Sequence, residues 1–274
     1  MGVVSTTIAP PRAAHSYVRR EAIERLTAAV GAARVVTVSS PAGFGKTTAM
    51  LRWAELFSEQ GRPILWIAAR AGIDSLDSFL EALRAAGVAA GLAPELTGGR
   101  PSPLDWLVNL AVPKGVRPVL CIDDAQLLTQ ETCDFIGQLI ASARDSTTTI
   151  IASRGESRLP VARLRSLGHL VEIGVRDLGF ETDEALRLIQ QEIGDDVPAA
   201  DLQRIVADTQ GWAAGLVLAT KAWRRDQREG VPPEGGATGQ RVEFASYFHE
   251  EVLAQQSQAK IGRASCRERV LVAV

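Results

Sequence analysis

The chain has 274 residues, 46% hydrophobic and 23% charged, with mean hydropathy +0.05 and formal net charge −2. This composition excludes a disordered or fibrous chain and leaves room for one large domain or one and a half. No apolar stretch is long enough to span a bilayer, and no apolar signal segment opens the chain. The predicted elements then alternate. A helix over Glu21 to Ala33 is followed by the β-branched run Val35-Val36-Thr37-Val38. Next comes Ser39-Ser40-Pro41-Ala42-Gly43-Phe44-Gly45-Lys46-Thr47-Thr48, then a helical pattern with apolar Met50, Leu51, Trp53, Ala54 and Phe57.

Strand, glycine-rich loop and helix in register form a phosphate-binding loop. Its backbone amides and the helix N-terminus favour an anion. Gly43 and Gly45 let the backbone approach the phosphates closely. Lys46 reaches the β- and γ-phosphates and the Thr47 hydroxyl ligates Mg²⁺. The usual first glycine is replaced by Ser40.

Further along, Pro63 to Ala68 reads as a strand and Leu76 to Ala86 as a helix. Gly87 to Pro103 reads as a loop, and Ser102 to Leu110 as a short helix. Val119-Leu120-Cys121-Ile122 reads as a strand buried on both faces, ending in Asp123-Asp124. A carboxylate there suits Mg²⁺. Asp123 is read as the metal-side group and Asp124 as the group that orients or deprotonates the attacking water. A helix over Gln130 to Arg144 and a strand from Thr147 follow. Arg154, at that strand's end, is placed to sense the γ-phosphate.

After a strand over Leu170 to Ile173 the chain is all helix. Asp183 to Glu192, N-capped by Thr182, is followed by Ala200 to Thr209 and Trp212 to Arg225. The alternation predicts an α/β fold with a doubly wound parallel sheet over residues 1–177. A helical lid is expected over 178–225, and a Gly- and Pro-rich linker over 226–239. Trp53, Trp66 and Trp212 are read as packing residues. Arg158, Arg163 and Arg165 are read as a solvated loop. Cys121 and Cys133 are read as small buried hydrophobes of a reducing cytoplasm.

These motifs, in order, resemble the nucleotide-binding module of MalT-like LuxR-type regulators, which are signal-transducing P-loop (STAND) ATPases. Tyr17 to Leu26, with Val18 and Arg20, resembles the family's lead-in segment, which lies over the adenine. Ile122-Asp123-Asp124-Ala125-Gln126 is similar to its Asp-Asp-x-His stretch, with Gln126 where His is usual. Gly211-Trp212-Ala213-Ala214-Gly215-Leu216 resembles its Gly-Trp-x-x-Gly-Leu signature, whose third residue, here Ala213, contacts the base. Residues 240–259 look like the start of a winged-helix segment.

The resemblance implies ATP or ADP with Mg²⁺ as ligands, slow hydrolysis and a cytoplasmic location. It also implies an effector and self-association through later regions, and DNA binding through a C-terminal helix-turn-helix. Two other readings stay open: a metabolic P-loop enzyme such as a small-molecule kinase, and an AAA-type ATPase.

Residues 260–274 resemble a translated sequencing-library adapter, so the expectation is that they are an artefact and that the gene runs on. They carry four cations against one anion, which leaves −5 on residues 1–259. An acidic surface does not favour phosphate-backbone contacts, so this stretch is not expected to read DNA.

Overall fold

The computed structural model describes residues 8–11, 20–70, 72–92, 116–143, 147–155, 158–166, 168–194 and 197–229. The elements are α1 (Glu21–Ala32), β1 (Val35–Ser39), α2 (Lys46–Glu59), β2 (Ile64–Ala68), α3 (Leu76–Ala89) and β3 (Val119–Asp123). A single 3₁₀ turn over Ala125–Leu127 precedes α4 (Gln130–Ala143), β4 (Thr148–Ser153), α5 (Ala162–Ser166), β5 (Leu170–Ile173) and α6 (Val175–Leu178). Then come α7 (Thr182–Ile193), α8 (Ala199–Thr209) and α9 (Ala213–Glu229).

The five strands form one parallel sheet in the order β2-β3-β4-β1-β5. This is the doubly wound α/β architecture expected. Because strand side chains alternate, each strand feeds two cores. Val36, Trp66, Cys121 and Ile150 face α1 and α2, packing with Ile23, Met50, Trp53 and Phe57. Leu65, Ile67, Leu120, Ile122 and Ile151 face α3 and α4, packing with Phe79, Leu83, Ile136 and Leu139. β3 and β4 are buried along their whole length, as continuous apolar or β-branched runs require. Trp53 and Trp66 are core residues, each 1% exposed or less.

Three helix boundaries differ from expectation; one is the end of α9, which runs on to Glu229 instead of stopping at Arg225 and so takes in the first residues of the expected 226–239 linker. α3 does not stop near Ala86 but continues through the buried Gly87 to Ala89. The stop signal is Gly91, at φ +73°. Its N–H bonds Val88 O and the Leu92 N–H bonds Gly87 O, at 3.0 and 2.9 Å. This is the paired arrangement that closes a helix on a left-handed glycine, and Leu92 is buried beneath it. Gly87 has its side-chain position on the packed face, so it cannot serve as the stop.

The third difference concerns α7. Thr182 is its first helical residue, and the N-cap is Glu181, whose backbone is extended (φ −69°, ψ 157°). The Glu184 carboxylate returns to the Glu181 N–H at 3.3 Å. The acidic start of α7 is therefore one residue longer than the sequence suggests. The predicted short helix over Ser102 to Leu110 lies outside the described residues.

The chain divides into two compact units that meet at Leu178–Gly179. In the second, α9 packs on α7 and α8. There the Trp223 Nε1–H donates to Asp201 Oδ2 at 3.1 Å, and Phe180 N–H donates to Gly211 O at 2.9 Å. A Cβ on Gly211 would lie 2.6 Å from Phe180 O, so only glycine permits this approach.

Candidate functional site

The site is built at the carboxyl ends of β1, β3 and β4, where parallel α/β sheets place their ligands. β4 lies between the other two, so one strand end separates the loop after β1 from the carboxylates after β3.

The loop from Ser40 to Gly45 turns through two left-handed glycines, Gly43 and Gly45, both at φ +79°. Gly45 is the N-cap of α2 and supplies no side-chain cap. The first bond of the helix ladder runs from Ala49 N–H to Gly45 O at 2.9 Å. The amides of Lys46, Thr47 and Thr48 therefore precede that ladder and point out of the helix end. α1, α3, α4, α7 and α8 each carry an acidic residue in the first turn, whereas α2, like the short α5 and like α9, carries none. The positive end of its dipole is left for an external anion.

Around this turn, Ala42 is buried, Phe44 packs against the α1–α2 core, and Thr48 is exposed. Ser40, standing where glycine is usual, is buried, and its N–H faces Ser153 O at 3.4 Å. Its carbonyl accepts Lys46 Nζ at 2.7 Å, and Pro41 O accepts the same ammonium at 2.8 Å.

Lys46 is only 8% exposed. Burial, then the nearby Arg154 guanidinium, lower its pKa to about 8, against the pull of Asp124 and Asp123. Two carbonyl dipoles hold the ammonium without neutralising it, and an anion beside it reverses the shift.

Thr47 Oγ1–H donates to Asp123 Oδ2 at 2.8 Å. This joins the P-loop helix to β3 through the two groups the sequence assigns to the metal. Asp123 is 1% exposed, and its other oxygen accepts the Asp124 N–H at 3.0 Å. Burial, then the charge of Asp124, raise its pKa, while the Thr47 hydrogen bond opposes the rise. A buried carboxylate beside an uncharged hydroxyl is a hard-oxygen pair that suits Mg²⁺, which needs only one or two carboxylates beside phosphate. Among the described residues no cluster of three or more His, Cys, Asp or Glu could hold a metal ion.

Asp124 takes the left-handed conformation, φ 56° and ψ 35°, uncommon for a residue other than glycine. Its Oδ1 accepts Gln126 Nε2–H at 2.9 Å. Arg154 Nε lies 3.9 Å from Oδ1 and Arg70 Nε 3.8 Å from Oδ2. Gln126 Oε1 in turn accepts the Arg154 backbone N–H at 3.0 Å.

The structure thus brings together Lys46, Thr47, Asp123, Asp124 and Arg154. Of the remaining predicted residues, Arg20 is buried just before α1 with its guanidinium on Leu178 O at 2.7 Å. Ala213 opens α9 in the helical unit. Val18 lies outside the described residues.

Two participants went unassigned in the sequence: Gln126, noted only as a substitution, and Arg70. Arg70 ends the segment after β2, the strand paired with β3, and Ala69 N–H bonds Asp123 O at 2.8 Å. The rule that singled out Arg154, a cation at a strand's carboxyl end, applies to it equally.

The fold is the parallel α/β fold of P-loop NTPases. A Walker-type ATPase of Pyrococcus abyssi aligns over 92% of this chain and 77% of its own, with TM-score 0.57 and 15% identity. A signal transduction ATPase with numerous domains (STAND) and a tetratricopeptide repeat sensor, from Pyrococcus horikoshii, aligns over 76% of this chain and 30% of its own. Its TM-score is 0.50 at 16% identity. In sequence, the chain is similar to serine/threonine-protein kinase PknK of Mycobacterium tuberculosis, 31% identical over 227 residues that cover 76% of this chain. The chain spans only 20% of the length of that relative. No family model matches the chain.

Proposed function

We propose that this chain is the ATP-binding, slowly hydrolysing switch module of a bacterial signalling ATPase that regulates transcription. The observation that carries the nucleotide part is the Lys46–Thr47–Asp123–Asp124 constellation at an acid-free helix N-terminus. The amides of α2 and Lys46 bind the phosphates, and Lys46 leaves the Ser40 and Pro41 carbonyls to do so. Thr47 and, through water, Asp123 would hold Mg²⁺, which would supply neutralising charge to the phosphate oxygens. Asp124 orients the attacking water. Arg154 faces the γ-phosphate, so its surroundings differ between triphosphate and diphosphate states.

The base side of the nucleotide is assigned to Val18, Arg20 and Ala213 on the resemblance alone. The transcriptional role rests on the same resemblance, with DNA binding in later regions of a longer protein. Support for a switch over a metabolic enzyme comes from the STAND relative, which is by its name a signal-transduction protein. Calorimetry of MgATP against the parent chain and Lys46→Ala tests the core of this reading. Binding by the parent and an affinity about 10- to 100-fold weaker in the variant are expected. Equal binding by both would refute the phosphate-loop assignment.

A further inference from the structure

We infer that Gln126 is a positioning residue that fixes the water-orienting Asp124 to the backbone of Arg154; this rests on the proposal that Asp124 orients the attacking water. The 3₁₀ turn over Ala125–Leu127 carries the Gln126 amide across the gap between the ends of β3 and β4. Its two ends do different things. The Nε2–H donates to Asp124 Oδ1 at 2.9 Å and Oε1 accepts the Arg154 N–H at 3.0 Å.

The two cations near Asp124 cannot supply the same fix. Arg70 and Arg154 approach the carboxylate only to 3.8 and 3.9 Å, and the Arg70 side chain is 55% exposed. Contacts this long and this wet set little geometry. The Gln126 bond is the short, directional contact on the Asp124 side chain, which stands on a left-handed backbone.

The bridge makes one unit of the group that orients water and the strand end that carries Arg154. A shift at the end of β4 moves Asp124 through the amide. The chemistry required at position 126 is one donor and one acceptor at opposite ends of a planar group. A neutral imidazole has that complement and a carboxylate has not. Glutamate can still accept from Arg154 N–H, but it cannot donate to Asp124 and places like charge beside it.

The test uses the full 274-residue chain with Gln126→Ala, Gln126→Glu and Gln126→His. Turnover, MgATP Kd and amide hydrogen exchange at Arg154 are measured at pH 8 in each. For Gln126→Ala we expect turnover down about tenfold with Kd unchanged within about twofold, because positioning acts on kcat. Its Arg154 amide should exchange about tenfold faster, as a hydrogen-bonded amide does on losing its acceptor. Gln126→Glu should keep the Arg154 amide slow and still lose turnover. Gln126→His should keep both.

Unchanged turnover or unchanged Arg154 exchange in Gln126→Ala overturns the inference. So does full turnover in Gln126→Glu, which is isosteric and keeps the test open if the alanine variant does not fold. Turnover in the parent that is abolished by Lys46→Ala but indifferent to Gln126 sinks this inference alone. A parent with no Lys46-dependent turnover sinks the hydrolytic reading, and this inference with it.

Discussion

The two ends of the sheet both gather charge and treat it in opposite ways. At the amino end, three arginines are tied to main-chain carbonyls. Arg34 reaches Ile140 O at 3.1 Å and Arg117 reaches Ala33 O at 3.4 Å. Arg62 reaches Arg117 O at 2.7 Å and stacks on Phe57 at 4.5 Å. Arg62 also donates to Thr148 Oγ1 at 2.7 Å. Arg62 and Arg117 staple strand starts to one another, and Arg34 ties the start of β1 to the end of α4.

At the carboxyl end, Lys46, Asp123, Asp124, Arg70 and Arg154 face one another. There a buried ammonium has its pKa lowered and a buried carboxyl has its pKa raised. An aspartate there stands in a left-handed backbone. The amino end is also perturbed, since burial and then Arg117 lower the Arg62 pKa and Arg117 Nε is buried without a hydrogen-bond partner. Its arginines, however, are each tied to a main-chain acceptor. The carboxyl end holds perturbed groups that a ligand can relieve, as functional sites do.

Substitutions at each end should therefore fail differently. The largest effect belongs to Asp124→Asn. Hydrolysis should fall about 100-fold, as expected on losing a group that positions the reacting water, while MgATP still binds. Asp123→Asn should in addition weaken the Mg²⁺-dependent part of binding. A phosphate-release assay beside calorimetry separates the two, and parental turnover by Asp124→Asn removes it from the chemistry.

Next in size, Lys46→Ala should weaken ATP binding about 10- to 100-fold, the range a charge-assisted contact supplies. Its melting temperature should not drop, because it removes a buried and poorly compensated charge. A clear destabilisation would mean that the lysine is a staple like those at the other end.

Arg62→Ala carries the comparison to the amino end. Loss of two hydrogen bonds and the Phe57 stack should cost about 2 kcal/mol of stability, read by urea unfolding, with ATP affinity unchanged.

A smaller effect concerns chemistry alone. The Cys121 thiol lies fully buried in β3, where burial raises its pKa far above the ordinary thiol range. In a Cys133→Ser, Cys266→Ser background it should resist an aromatic disulfide reagent until the protein unfolds. Rapid labelling would show that the sheet opens. Least of all, separating the exposed Arg165–Glu172 pair, joined at 2.6 and 2.8 Å, by Arg165→Ala should leave the melting curve in place.

What the sequence revealed of this site tracks how locally each piece is encoded. β1, the loop and α2 are contiguous, so the glycines, Lys46 and Thr47 were readable in place. Asp123 and Arg154 were readable because strand ends follow from β-branched runs, and the sheet order then brings them to the loop. The role of Gln126 was hidden because it depends on a residue 28 positions away and on the left-handed turn at Asp124. Arg70 was hidden because nothing local pairs β2 with β3. The end of α3 was misread because Gly87 and Gly91 look alike in sequence, and only packing distinguishes the buried one from the left-handed one.

The sheet order also bears on how the chain assembles. β1 finds its partners only in β4 and β5, with Val35 opposite Thr149 and Leu170. On a ribosome, the strand that carries the phosphate loop emerges before both of its neighbours and waits for more than a hundred residues until the first of them exists. β2 and β3 can pair sooner, but the loop after β1 gains its frame only when the segment through Ile173 is out. Such non-local pairing slows folding and leaves an apolar strand edge open to wrong partners meanwhile. The nucleotide loop is thus made before the strands that frame it and completed only after them.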